Sequence, residues 1–173
     1  RKAPPADFPA LPDIPLGRYT DPDFWALEVA GLWQKSWLYA AHDDELPNPG
    51  DYYLWERGSA PIFLIRGNDG EVRAFYNTCR HRGAPIVEHK SGNSPGLMCK
   101  YHGWTYNLQG DLINLRDRRD FVDLDMSCRG LFTVRCERFG RWLFINEDPE
   151  AEPLLESLGP IVDEFAQMQP ENL

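Results

Sequence analysis

Two cysteines and two histidines lie in two short stretches within one region of the chain. The region runs from Asn77 to Asn107 and reads NTCRHRGAPIVEHKSGNSPGLMCKYHGWTYN. One residue separates Cys79 from His81, and two residues separate Cys99 from His102. Thiolate and neutral imidazole are the ligands that zinc and iron–sulfur clusters take in proteins. The four residues therefore predict a metal centre.

The order of the ligands distinguishes between kinds of metal centre. A structural zinc site with two Cys and two His typically takes a Cys pair and a His pair, each with its own short spacing. Here each stretch supplies one of each, and seventeen residues, 82–98, separate the two stretches. In a Rieske centre one iron takes both cysteines and the other takes both histidines, which suits mixed stretches. A structural zinc module remains the less favoured alternative.

The full pattern, C-x-H-x17-C-x-x-H with HRG in the first stretch and HGW-x-Y in the second, resembles the Rieske motif. Over roughly residues 19–168 the chain resembles the N-terminal Rieske domain of the large (α) subunit of Rieske non-haem iron aromatic ring-hydroxylating oxygenases. The stretches that carry the resemblance are DPDFWALEVAGLWQKSW, NTCRHRGAPIV and CKYHGWTYNLQGDL. The resemblance implies a 2Fe–2S cluster whose metal ligands are Cys79, His81, Cys99 and His102.

Three positions refine the kind of Rieske centre. Rieske proteins of respiratory complexes resemble this motif but carry a further Cys in each loop, joined as a disulfide, where this chain has Ala84 and Tyr101. They also have a Ser that bonds a cluster sulfide where this chain has Trp104. The cluster would then accept fewer hydrogen bonds at its sulfur atoms. The resemblance therefore implies a reduction potential toward the low end of the Rieske range, about −150 mV.

Three neighbours of the ligands are candidate supporting residues. Tyr106 matches the family position whose phenol can bond a ligand sulfur, and an ordinary strand aromatic is the equal alternative. Trp104 is interpreted as a packing lid rather than an electron relay. For Arg82, ordering of its loop or contact with a partner is weighed against a solvated surface residue.

The remaining histidines and cysteines do not form a second metal centre. His42 and His89 lack metal spacing and are predicted to be solvated or locally bonded, while Cys128 and Cys136 are interpreted as unpaired structural thiols. The oxygenase family needs a mononuclear Fe(II) held by two His and a carboxylate, and no such set is found in this sequence. We therefore expect no catalytic residue in this chain and a catalytic domain after residue 173.

The resemblance also implies partners and a reaction. Electrons would come from a ferredoxin and/or an NAD(P)H-dependent reductase and pass to the mononuclear iron of a neighbouring subunit. That implies a trimer, possibly with a β subunit, and dioxygen-dependent hydroxylation of an aromatic or other substrate. The alternative is a free-standing Rieske ferredoxin, an electron carrier that is not part of an enzyme.

Composition limits the other partners. The net charge of −9 and pI of about 4.9 argue against nucleic acid or an anionic membrane, because both bind basic faces. No apolar run approaches the roughly 18 residues of a membrane span, and the N-terminus lacks the apolar region of a signal peptide. Cysteines at metal spacing, without a secretory signal, favour a reducing, cytoplasmic compartment.

The elements that position the ligands are predicted to be mainly short strands. Seven segments are rich in aromatic and β-branched residues and separated by turn signals: DYYLWER, APIFLIRG, EVRAFYN, GLMCKY, WTYN, LFTVRCERF and RWLFIN. They predict an antiparallel sandwich or small barrel. With the resemblance, the fold class is a mainly β, Rieske-type antiparallel β-sandwich with a small cluster-binding subdomain, plus an N-terminal and a C-terminal helix.

Flanking segments complete the predicted organisation. Residues 1–36 form a Pro-rich arm and a helix capped by Thr20 or Asp21, whose stripe Trp25, Val29, Leu32 and Trp33 is interpreted as core packing. Residues 37–150 form the Rieske domain, with the cluster-binding subdomain at about 77–107 and a charged surface loop at 116–128. Residues 151–173 form a linker and an amphipathic helix, kinked at Gly159-Pro160, that leads to the absent catalytic domain.

Overall fold

Ten short strands and few helices make up the protein in a computed structural model that describes residues 12–58 and 60–172. Most of the predicted N-terminal arm, residues 1–11, lies outside the described residues. The strands are β1 Leu38–His42, β2 Asp51–Trp55, β3 Ile62–Arg66, β4 Val72–Tyr76, β5 Ser91–Asn93, β6 Leu97–Met98, β7 Thr105–Tyr106, β8 Leu112–Asn114, β9 Thr133–Phe139 and β10 Trp142–Asn146. Each of the seven predicted segments contains one of them.

The strands form two antiparallel sheets. The larger has seven strands in the order β1-β10-β9-β4-β3-β2-β5, and the smaller has three in the order β6-β7-β8. Strand β9 serves both halves of the larger sheet, because residues 133–134 pair with β4 and residues 135–139 pair with β10. The sheet curls at this shared strand into a half-barrel. The predicted mainly β, antiparallel fold is confirmed.

Strand β3 explains how one sheet organises two hydrophobic cores. Successive strand residues point to opposite faces, so Ile62 and Leu64 enter one core while Phe63 and Ile65 enter the other. The core around Phe63 also contains the small sheet and both ligand-type cysteines. The larger sheet therefore acts as a rigid floor beneath the predicted metal loops.

Three strands, β1, β5 and β8, lie outside the seven predicted segments. Strand β5 reads Ser-Gly-Asn, and its pairing comes from β2, where Tyr52 lies opposite Gly92. A Cβ at Gly92 would lie 2.8 Å from the Tyr52 hydroxyl, so only glycine fits this edge. Strand β8 is a three-residue strand held by β7. Tertiary pairing, not local propensity, therefore makes strand β5.

The N-terminal helix begins as predicted but packs differently. Helix α1, Pro22–Glu28, starts at Asp21, whose side chain accepts the N–H of Asp23 at 2.9 Å, and it continues as one π-helical turn, Val29–Trp33. The interpretation of its stripe as core packing is wrong. Trp25 is 53 % exposed, and within the described residues no side chain of these two segments is buried. An ion pair of Lys35 with Asp148 at 2.8 Å links the chain just after this segment to the residues that follow β10.

The C-terminal helical segment is divided in two, as the sequence predicts. Helix α2, Leu154–Leu158, ends at Gly159, which has a φ of +56°, and helix α3, Ile161–Ala166, follows Pro160. Leu154 is fully buried, and its N–H donates to the Glu137 carboxylate at 2.7 Å. None of the helices among the described residues has the length and apolar character needed to cross a bilayer.

Candidate metal centre

The two ligand stretches fold into matched loops. The N–H of Gly83 donates to the carbonyl of Cys79, and the N–H of Gly103 donates to the carbonyl of Cys99, both at 2.9 Å. The N–H of each cysteine donates to a carbonyl five residues further on, at 2.8 Å in both loops. The glycines have φ values of +73° and +70°, which other residues adopt only with strain. CRHRG and CKYHG are therefore two copies of one closed turn.

A buried asparagine holds the first loop. Asn77 follows strand β4, and its side-chain oxygen accepts the N–H groups of Ile86 at 2.8 Å and Val87 at 3.0 Å. Its side-chain N–H donates in turn to the carbonyl of Val87 at 2.8 Å. Asn77 thus ties the start of the loop to its end. Sequence reasoning missed this residue; the available signal was a polar side chain directly between a buried strand and the first ligand.

The two thiols of the loops are buried side by side. Cys79 and Cys99 are 3 % and 1 % exposed and lie within hydrogen-bonding reach of each other. Burial raises the pKa of the Cys99 thiol, and the adjacent Cys79 adds to the rise. Without metal this rise favours the neutral form of the Cys99 thiol, whereas a coordinating metal would favour its thiolate.

Tyr106 touches this thiol pair. Its hydroxyl lies 3.4 Å from Cys79 Sγ and accepts the backbone N–H of Arg80 at 3.1 Å. Because the phenol oxygen already accepts one hydrogen bond, its own proton is free to point at the sulfur. Burial is the main cause that raises the pKa of Tyr106, so the proton stays on the phenol. Of the two interpretations of Tyr106, this contact favours the bond to a ligand sulfur.

The two imidazoles face each other in different surroundings. The ring centroids of His81 and His102 are 4.5 Å apart. His81 stacks on Trp104 at 5.0 Å with an interplanar angle of 7°, while exposed Tyr101 covers His102 at 3.8 Å. The Nδ1 of His81 is buried and has no hydrogen-bond partner among the described residues. A buried, unpaired ring nitrogen is costly unless it binds a ligand.

The donor set fits a 2Fe–2S cluster. Burial, followed by the charges of His102 and Arg82, lowers the pKa of His81, which favours the neutral form that binds metal. Within residues 12–58 and 60–172, no three His, Cys, Asp or Glu side chains are placed to hold one metal ion together. The four side chains stand instead as a thiol pair and an imidazole pair, the division that a Rieske centre requires. Their role as ligands remains a prediction.

Of the other singled-out residues, Arg82 borders this centre and the rest lie outside the two loops. Arg82 is exposed at the rim of the first loop. The Nδ1 of His42 accepts the N–H of Asp44 at 3.3 Å in a capping box, and His89 is exposed. All four cysteines are unpaired; Cys128 is exposed, whereas burial raises the pKa of Cys136 to about 12.

Comparisons with known proteins agree with this geometry. A family model described as the Rieske [2Fe-2S] domain matches residues 36–128. The chain is 34 % identical over 163 residues to the toluate 1,2-dioxygenase α subunit of Pseudomonas putida, covering 90 % of this chain and 36 % of the relative. It is 33 % identical over 171 residues to the carnitine monooxygenase oxygenase subunit of Escherichia coli K12, covering 96 % and 46 %.

Solved structures give the same result. Naphthalene 1,2-dioxygenase with indole in its active site matches with a TM-score of 0.81 and 35 % identity, over 87 % of this chain and 34 % of that one. A quaternary ammonium Rieske monooxygenase in complex with L-carnitine matches with a TM-score of 0.81 and 31 % identity, over 87 % and 43 %.

The chain thus spans between about a third and just under half of the length of the relatives it matches. The matched family region, residues 36–128, is more than half of the 173 residues and contains both loops. This chain belongs to the Rieske 2Fe–2S domain family.

Proposed function

We propose that this chain is the Rieske electron-transfer domain of the large subunit of a non-haem iron oxygenase. Cys79 and Cys99 would hold one iron, and His81 and His102 the other. The observation that carries the proposal is the buried thiol pair beside an imidazole pair, in which the Nδ1 of His81 has no hydrogen-bond partner in the described part of the chain. The named relatives, two dioxygenases and a monooxygenase, support the oxygenase assignment.

The extent of the similarity favours an oxygenase subunit over a free-standing ferredoxin. The matches to the toluate and carnitine oxygenase subunits run over 163 and 171 residues, well beyond the family region 36–128. They therefore include the flanking helices as well as the β core. In this proposal residues 37–150 form the Rieske domain, and residues 151–173 lead into a catalytic domain with a mononuclear Fe(II).

The side chains around the site would set the reduction potential of the centre and its access to water and to a partner. When bound, the 2Fe–2S cluster supplies a one-electron redox couple. Neutral imidazoles in place of two thiolates make the centre less negative, which raises its potential above that of a four-cysteine cluster. Buried Cys79 and Cys99 keep water from the sulfur side, and the hydroxyl of Tyr106 donates to Cys79. His102, beneath exposed Tyr101, lies on the side accessible to a partner.

The proposed pathway requires other proteins. A ferredoxin and/or an NAD(P)H-dependent reductase would deliver electrons to this domain. They would pass to the mononuclear iron of a neighbouring subunit in a trimer, with or without a β subunit, for dioxygen-dependent hydroxylation. We propose a cytoplasmic location for this system, in keeping with its unpaired cysteines.

Two measurements test the proposal. Anaerobically prepared protein should contain iron and acid-labile sulfide in equal amounts and give a paramagnetic signal when reduced; zinc without sulfide would refute it. Cys136→Ser should retain the signal, because this thiol lies outside the loops. The full-length protein should in addition bind a mononuclear iron and consume dioxygen with substrate. Full-length protein with a cluster but no further iron site would instead establish the carrier alternative.

A further inference from the structure

A half-buried arginine lies between two of the predicted ligands and extends out of the first loop. Arg80 stands between Cys79 and His81, and the Cζ of its guanidinium lies over the ring of Phe132, 3.8 Å from the ring centroid. Its Nη1 donates to the carbonyl of Gly130 at 2.9 Å. The side chain therefore joins the first ligand loop to a segment 50 residues further along the chain.

This segment, residues 130–132, is itself held from two sides. The N–H of Leu131 donates to the carbonyl of Gly110 at 2.8 Å, in the turn between β7 and β8 of the smaller sheet. The carbonyl of Phe132 accepts the N–H of Tyr76 at 3.0 Å, at the end of β4 in the larger sheet. The arginine therefore bonds to a part of the fold that both sheets hold in place.

The backbone of Arg80 acts in the other direction, toward the thiols. Its N–H donates to the hydroxyl of Tyr106 at 3.1 Å, and that hydroxyl lies 3.4 Å from Cys79 Sγ. A phenol oxygen that accepts a hydrogen bond from one fixed donor can turn its own proton to the remaining neighbour, which here is the sulfur. Because the side chain of Arg80 fixes this residue in the loop, it also fixes the donor that orients the phenol.

The positive charge of Arg80 has no carboxylate partner among the described residues, where none of the arginine ion pairs includes it. Arg135 is different: it also lies over an aromatic ring, Trp37 at 5.1 Å, but it pairs with the Glu137 carboxylate at 2.6 Å. Phe132 covers one face of the Arg80 guanidinium, and a charge that water does not surround is screened less. A reduced cluster carries one more negative charge than an oxidised one, so an unneutralised cation beside a ligand favours reduction.

We propose that Arg80 is a positioning residue of the metal centre, which orients the phenol of Tyr106 toward Cys79 and raises the reduction potential of the bound cluster through its unneutralised charge. The inference rests on the proposed function and adds one residue to it. Arg80 binds no iron; it acts through Tyr106 and through its electric field. Arg82, in the same loop, is exposed to water, so its charge is screened more strongly.

The test is a redox titration of the full-length, cluster-loaded protein, followed by electron paramagnetic resonance. Arg80→Gln removes the charge and the guanidinium contacts, whereas Arg80→Lys keeps the charge and loses the planar group that bonds and stacks. Phe132→Leu keeps the arginine and removes the ring that covers it. Arg135→Gln is the matched control, because this arginine also lies over an aromatic ring and donates to a backbone carbonyl, that of Ala151, outside the ligand loops.

In Arg80→Gln we expect the equilibrium constant for one-electron reduction to fall about tenfold, which corresponds to about 59 mV, together with a lower unfolding temperature. Arg80→Lys should recover most of the potential but not the unfolding temperature, because lysine supplies the charge without the planar contacts. Phe132→Leu should lower the potential by a smaller amount, since more water then reaches the guanidinium. Arg135→Gln should keep the potential of the unsubstituted protein.

The potentials decide the role of Arg80 separately from the stability of the loop. An unchanged potential in cluster-loaded Arg80→Gln would overturn the inference, as would an equal shift in Arg135→Gln. Equal potentials in Arg80→Lys and Arg80→Gln would overturn it by excluding the charge as the cause. If Arg80→Gln does not retain a cluster, Phe132→Leu decides, and an unchanged potential there overturns the inference. Absence of any reducible cluster in the unsubstituted protein would instead refute the proposed function.

Discussion

The two ligand loops have one backbone turn in common, but the surroundings of their histidines differ. Both loops close from the cysteine to a glycine four residues on, with the same hydrogen bonds to within 0.1 Å. The histidine is the third residue of the first loop and the fourth of the second. That single shift places His81 against Trp104 and Phe121, whereas it places His102 beneath exposed Tyr101.

The comparison separates backbone geometry from side-chain surroundings. The shared turn fixes where both cysteines stand, and the offset of the histidines decides which side chains cover each imidazole. Both imidazoles are partly buried, His81 on Trp104 and Phe121 and His102 beneath exposed Tyr101. The two histidines therefore have similar exposure but different aromatic neighbours.

The largest expected effect is loss of the cluster when either loop loses a ligand. Cys79→Ser in the first loop and His102→Ala in the second should each abolish the paramagnetic signal of the reduced protein, because a Rieske centre needs both ligands on each iron. Electron paramagnetic resonance, with iron and sulfide analysis, makes the measurement. Full signal in either variant would show that the loops are not equivalent partners of one centre.

A smaller effect should come from the glycines that close the turns. Gly83→Ala and Gly103→Ala should each destabilise the protein by about 1–2 kcal/mol, because an L-residue at positive φ is strained. The two should lose similar stability, since their φ values of +73° and +70° are alike and a Cβ at either position meets only ordinary van der Waals contacts, 3.7 Å from the hydroxyl of Thr78 and 3.4 Å from the Cβ of Arg116.

Thermal or denaturant unfolding measures the stability that each loop variant loses. Gly31→Ala is the matched control, because this glycine lies in the exposed helical segment and a Cβ there meets nothing within 4 Å. Its replacement should be neutral or stabilising, as alanine favours helices. Loop variants as stable as the control would contradict the shared turn.

The sequence was sufficient for the ligand-type residues and for most of the fold, because both depend on local patterns. Spacing singled out Cys79 and His102, whose role as ligands stays a prediction, and a short run of aromatic and β-branched residues between turn signals identified β3. The apolar stripe around Trp25 gave a wrong prediction of core packing, because periodicity shows that a helix face is apolar but not what covers it. Asn77 and strand β5 were missed because their roles come from partners distant in sequence.

A more selective change should distinguish the two cysteines. Tyr106→Phe removes the hydrogen bond to Cys79 and the acceptor for the N–H of Arg80, and it removes no bond to Cys99. A hydrogen bond to a ligand sulfur stabilises the more negative, reduced cluster. A hydrogen bond worth about 1 kcal/mol corresponds to about 40 mV for a one-electron couple, so the potential should fall by roughly that amount. Redox titration makes the measurement. Tyr101→Phe, which removes a hydroxyl away from the thiols, should leave the potential unchanged; equal shifts in both variants would contradict a specific bond to Cys79.

The smallest effect is expected at the cysteines outside the loops, which differ as much as the histidines do. Burial raises the pKa of Cys136 to about 12, so below that pH it is a neutral thiol and unreactive, while Cys128 is exposed beside Asp125. In native, cluster-loaded protein at pH 8, a thiol reagent should label Cys128 and spare Cys136, as mass spectrometry of peptides would show. Cys128→Ser should remove the fast-reacting thiol without changing the paramagnetic signal. Equally fast labelling of Cys136 in the folded protein would contradict the predicted difference between these two thiols.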